Sequence, residues 1–151
     1  MTTSCAMSSL QPAGSDLPSS QKTILVVDDD QDMIRILKIA VEQKFGHKCL
    51  TAQNGLEAVA VVKNYDGPIH AIVTDIEMPQ SDGVQFARFV RESNKDMLII
   101  FLSAAFVDES TGVIGSTGYS LKDLGVLKPS YFFEKTGMKT LASIEAVLVT
   151  N

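Results

Sequence analysis

The chain has 151 residues, 45% of them hydrophobic and 21% charged, which suits one domain with an ordinary buried core. A net charge of −5 argues against a nucleic-acid-binding surface, and two cysteines, Cys5 and Cys49, outside any CxxC or Cys/His spacing, build neither a disulfide framework nor a zinc site. The apolar runs are shorter than the ~20 residues of a membrane span, and the first residues lack a basic and then apolar signal pattern, so a cytoplasmic protein is expected.

Residues 1–21 hold six serines, two prolines and a single charge, with no period of two or of 3.6. Such a segment buries too little apolar surface to offset its ordering entropy and reads as a flexible tail before a domain at 22–151. From Lys22 onward, strand-length apolar runs alternate with amphipathic pieces. The predicted strands cover 24–27, 47–52 (weakly), 69–74, 97–103 and 131–133; three are nearly continuous in Val, Ile, Leu and Phe, the pattern of strands covered on both faces. Between them, Asp32 caps a predicted helix whose Met33, Ile36, Leu37, Ala40 and Val41 share one face, with Gly46 beyond its end. Asn54 caps the next, followed by Leu56, Val59, Ala60 and Lys63 and closed by Asp66-Gly67-Pro68. Residues 84–91 and 140–149 supply two more, the last with Leu141, Ile144, Val147 and Leu148 inward.

This βα alternation predicts an α/β fold: a doubly wound, five-stranded parallel sheet with helices on both faces. One segment resists. Residues 104–130 should carry the fourth helix, yet Gly112, Gly115 and Gly118 each lower helix propensity by about 1 kcal/mol relative to Ala, so an irregular region is expected there. Tyr119 and the glycines around it read as a plain connection.

Ligands of open parallel sheets bind at the carboxyl ends of the strands. The first predicted strand runs directly into Asp28, Asp29 and Asp30, the third ends at Asp75, the fourth at Ser103, and the fifth precedes Lys135. Two like charges about 4 Å apart repel by roughly 4 kcal/mol at the dielectric of a protein surface, so clustered carboxylates call for a cation or a phosphoryl group. His47 and His70 have no partners at ligand spacing and read as structural or surface residues. Asp30 reads as a solvated turn residue.

The ordered set ILVVDDD, TDIEMPQSDG and FLSAA resembles the receiver domain of bacterial two-component response regulators, from Lys22 to Asn151. The resemblance implies a flavodoxin-like (βα)5 fold in which Asp75 accepts a phosphoryl group from a histidine kinase or a histidine phosphotransfer protein. It implies Mg²⁺ held by Asp28, Asp29, Asp75 and the main-chain carbonyl of Glu77, a hard cation that needs few protein carboxylates. Ser103 and Lys135 would act on the phosphoryl group, and a switch would couple Ser103 to the aromatic Phe132. The side chains of Glu77 and Ala105 fall where family members tune phosphoryl lifetime.

Lys128-Pro129 competes with Lys135, but it leaves no room for a strand after Leu124-Gly125, whereas Lys135 follows an apolar run; Lys135 is therefore favoured. Thr136 then stands where the family usually has a proline behind a cis bond, which leaves the state of the Lys135–Thr136 bond open. The chain after Lys135 accommodates one helix, so the expected output of a stand-alone regulator is contact with a downstream protein and not with DNA. Two alternatives stay open. One is a receiver-like adaptor that is never phosphorylated. The other is a phosphatase of the haloacid dehalogenase type with its nucleophile at Asp28, although Gln31 and Asp32 do not fit that motif.

Overall fold

The computed structural model describes residues 21–79 and 81–151, so the expected tail lies outside the described residues except for Gln21. Five strands form where the apolar runs predict them: β1 (Thr23–Val27), β2 (Lys48–Ala52), β3 (Ala71–Asp75), β4 (Leu98–Ser103) and β5 (Ser130–Glu134). They pair in parallel in the order β2-β1-β3-β4-β5. Every residue of β1, β3 and β4 is buried, as their unbroken Val/Ile/Leu runs require of central strands covered on both faces.

Successive side chains of a strand point to opposite faces, and the two cores divide accordingly. Leu25, Val27, Ile72, Ile99 and Phe101 pack under α2 (Gly55–Asn64), α3 (Gly83–Ser93) and the short α4 (Leu121–Gly125). Ile24, Val26, Val73, Ile100 and Leu102 pack under α1 (Gln31–Ile39) and α5 (Met138–Thr150). The chain leaves α1 through a wider π-helical turn, Ala40–Lys44, in which the Phe45 amide donates to Ala40 O at 2.9 Å. Gly46 closes it at φ +76°, a left-handed conformation that suits glycine.

Asn54 caps α2 as expected, its side chain accepting from the Glu57 amide at 2.8 Å. The cap of α1 moves. Asp30 takes this position, accepting from the amides of Asp32 and Met33, while Asp32 sits inside the first turn and pairs with Arg35 at 2.7 Å. The helix begins at Gln31, two residues earlier than a cap at Asp32 allows, and so leaves only a three-residue turn after β1. The apolar faces are also narrower than the pattern suggests: Ile36 and Leu56 are exposed, and Leu37, Ala40, Val41 and Ala58 carry the packing.

The segment that resisted a helix does not form one before Leu121. Residues 107–120 fold into a small double hairpin, two successive turns that share Val113-Ile114 and are each closed by one isolated antiparallel bridge, Val107–Ile114 and Val113–Ser120. Gly112, Gly115 and Gly118 all have positive φ, so the residues that weaken a helix are the ones that turn this hairpin. Ile114 is fully buried in the core, an anchor of about 2 kcal/mol.

Candidate phosphorylation site

The sheet register builds the site. Val27 lies opposite Thr74, so Asp28 and Asp75, each one residue further on, meet at the carboxyl edge of neighbouring strands. Asp28, Asp29 and Asp75 each bring a carboxylate oxygen within 4.8 Å of the others. Asp28 and Asp75 are buried and Asp29 is exposed, so the cluster opens on one side.

From the next strand, the Lys135 amide donates to Ser103 O at 2.8 Å. This contact directs the lysine side chain inward, where Nζ stands 2.9 Å from Asp28 Oδ2 and 3.4 Å from Asp75 Oδ2. The structure thus brings Lys135 to the carboxylates. Among the described residues the one cis peptide bond is Lys128–Pro129, and the Lys135–Thr136 bond is trans.

One cation does not satisfy three acids. Burial pushes the Asp75 carboxyl up to about 6, with Lys135 opposing the shift and Asp28 and Asp29 adding to it. Burial pulls the Lys135 ammonium down, but Asp28 and Asp75 outweigh burial and hold it above its usual range. Asp28 Oδ1 accepts from the Asp30 amide at 2.9 Å, and buried Asp28 Oδ2 has the Lys135 ammonium at 2.9 Å as its partner. An all-oxygen donor set with one open side, in which Asp28 and Asp75 share one ammonium, fits a hard divalent cation.

Ser103 is fully buried at the end of β4, and its Oγ accepts from the Ala105 amide at 3.0 Å. Glu77 is exposed in the loop between β3 and α3 and lines a cavity with Asp29. Phe132 is half-buried against the core that contains Phe101 and Leu124. The loop is closed at its base by Gly83, whose amide donates to Ile76 O at 2.9 Å and at which a Cβ would stand 2.0 Å from Asp75 O. No residue but glycine fits there.

Tyr119 is the residue that sequence reasoning passed over. Its hydroxyl donates to Asp82 Oδ2 at 3.0 Å, joining the hairpin to the loop that follows Asp75. No periodicity marks a contact between residues 37 apart. The two histidines are structural: His47 Nδ1 accepts from the Lys22 amide at 3.2 Å and His70 Nδ1 from the Thr23 amide at 2.9 Å.

A parallel sheet in this order, with an acidic pocket beside a lysine at its carboxyl edge, defines a receiver fold of the flavodoxin-like, CheY-like type. Residues 24–118 match the response regulator receiver domain family, and the chain belongs to that family. It is 38% identical over 82 residues to the response regulator receiver protein CpdR of Brucella abortus, covering 54% of this chain and 66% of that protein. It is 31% identical over 85 residues to the sensor kinase CckA of the same organism, covering 56% of this chain and 9% of that one. The chain thus spans less than two thirds of the length of these curated relatives. The crystal structure of the response regulator TrrA of Thermotoga maritima, in complex with Mg²⁺ and BeF, superposes with a TM-score of 0.63 at 28% identity, over 85% of this chain and 99% of that one. Among the described residues no helix is long and apolar enough to cross a membrane.

Proposed function

We propose that the chain is a phosphoacceptor module in which Asp75 takes the phosphoryl group, residues 22–151 forming the receiver domain and 1–21 a tail outside it. The observation that carries this reading is the convergence of three carboxylate oxygens within 4.8 Å beside the Lys135 ammonium. A carboxyl with a pKa of about 6 is mostly ionised at neutral pH, and its raised basicity favours it as a nucleophile. An Asp75 oxygen attacks phosphorus in line with the P–N bond of a phosphohistidine. The P–O bond forms as the P–N bond breaks, and the imidazole leaves with the electron pair.

Asp28, Asp29, Asp75 and the Glu77 carbonyl would hold Mg²⁺, which when bound neutralises charge on the phosphoryl oxygens. Lys135 then exchanges part of its pairing with Asp75 for the incoming phosphoryl oxygens. Ser103 Oγ, already fixed by the Ala105 amide, turns its proton toward them, and Phe132 repacks with it. The acyl phosphate ends by attack of water on phosphorus, which returns the Asp75 carboxylate and inorganic phosphate. In this reading the module signals by contact with a downstream protein in the cytoplasm, draws its phosphoryl group from a histidine kinase or phosphotransfer protein, and turns over no other phosphoester.

Incubating the chain with acetyl phosphate and Mg²⁺ tests the reading by intact mass. The expected result is one phosphoryl adduct that requires Mg²⁺ and is absent from Asp75→Asn. A wild-type chain that gains no adduct, or a variant that gains the same one, overturns it.

A further inference from the structure

The loop from Ile76 to Asp82 joins the proposed phosphoacceptor strand to α3 and carries Glu77. On one side it borders a cavity of about 340 Å³, lined also by Asp29, Thr117 and Tyr119. Ile76 and Met78 are buried on either side of exposed Glu77, and the far end of the loop is held at two adjacent residues. One is Gly83, which packs on Asp75 O and whose amide donates to Ile76 O. The other hold is Asp82, which uses both carboxylate oxygens: Oδ1 accepts from the Gln85 amide at 2.7 Å and caps α3, and Oδ2 accepts from the Tyr119 hydroxyl at 3.0 Å.

The hairpin is a firm point of attachment. Its backbone is paired at Asp108 N to Val113 O (2.8 Å), Ile114 N to Tyr119 O (2.9 Å) and Leu121 N to Gly112 O (2.9 Å), and Ile114 is buried beneath it. The Tyr119 ring is held from α3 as well, with the Arg88 guanidinium 5.7 Å from its centroid. Burial and the Asp82 carboxylate both push the phenol above its usual range, so the hydroxyl stays a donor.

We infer that Tyr119 is a positioning residue for the cation site: through Asp82 it fixes the loop that carries Glu77, and so it sets the affinity for Mg²⁺. This rests on the reading of Asp28, Asp29, Asp75 and the Glu77 carbonyl as the cation site. Partners outside the ligand sphere that orient it change metal affinity by about 10–100-fold, and a tether acting through one loop falls at the low end.

A double-mutant cycle on the full chain tests it, with Mg²⁺ titrated against backbone amide NMR shifts. Tyr119→Phe keeps the ring over Arg88 and loses the donor; Asp82→Ser keeps an N-cap for α3 and loses the reach to Tyr119. Each single variant is expected to bind Mg²⁺ about tenfold more weakly, and the double variant no more weakly than either. Affinity equal to wild type in the single variants, even with a lowered melting temperature, overturns the inference, as does a double variant that loses the product of the two effects. Acetyl phosphate labelling of the wild type runs alongside. A wild type that binds Mg²⁺ with these couplings yet takes no phosphoryl group sinks the phosphoacceptor reading and leaves the tether standing.

Discussion

The two edges of the sheet handle polar groups in opposite ways. At the amino edge every strong group named here has a partner that neutralises or satisfies it. His47 and His70 accept from the amides of Lys22 and Thr23, Lys22 Nζ donates to Leu148 O at 2.6 Å, and the Arg91 guanidinium donates to Leu127 O at 2.7 Å. At the carboxyl edge three carboxylates converge, and Asp28 and Asp75 share the Lys135 ammonium while Asp29 stands exposed beside them. Both edges are built from the same parallel strands, so topology alone does not produce the difference. A satisfied edge stabilises, whereas an edge held short of cations is prepared for something that arrives.

Removing Lys135, the cation paired with Asp28 and Asp75 at the carboxyl edge, should give the largest effect. Lys135→Ala leaves Asp28 and Asp75 buried side by side, and a loss of about 3 kcal/mol is expected at neutral pH in metal-free buffer by urea denaturation. Mg²⁺ should recover more of this loss than it adds to wild type. If Lys135→Ala costs no more than a surface lysine substitution, the described contrast between the edges is wrong.

The next effect is a pH dependence. The Asp75 carboxyl titrates near 6 in the folded protein against 3.8 as its ordinary value, so the native state binds more protons between these two pH values. Stability of the metal-free protein therefore falls as pH rises from about 4 to about 6, by up to about 3 kcal/mol, and this contribution levels off above about 7. Asp75→Asn should flatten that slope and be more stable than wild type at neutral pH. A slope that survives the substitution would assign it to another group.

At the amino edge the effect should be smaller and silent in function. His70→Ala removes the acceptor for the buried Thr23 amide and should cost about 1 kcal/mol. Mg²⁺ binding and phosphoryl uptake should stay at wild-type levels; a change in either would mean that the two edges are not independent.

Much of this contrast is legible in the sequence. Asp28, Asp29 and Asp75 follow apolar runs whose alternation with amphipathic segments reads as buried strands, and the end of such a strand is where a parallel sheet places its ligands. Lys135 was separable from Lys128 because only one of them leaves room for β5. What stayed hidden depends on geometry that no period encodes. Asp30 and Asp32 are both good caps by residue type, and the sequence pattern does not decide between them. Ile36 and Leu56 fit an apolar face by spacing, yet both stand exposed while their neighbours Leu37 and Ala58 are buried. Tyr119 meets Asp82 because three glycines turn a hairpin where a helix is usual, and those glycines announce the absence of a helix without announcing what replaces it.

Gly83 gives the site a mechanical role. Because its backbone lies directly on Asp75 O, the first turn of α3 is in contact with the acid's own peptide. The helix of 11 residues then acts as a strut about 16 Å long, running from the carboxyl edge toward the other end of the sheet. At its last turn Arg91 grips Leu127 O and Pro129 O, just ahead of β5. The same helix, packed into the core through Val84, Phe86, Ala87 and Val90, thus touches Asp75 at one end and the lead-in of the strand that carries Phe132 at the other.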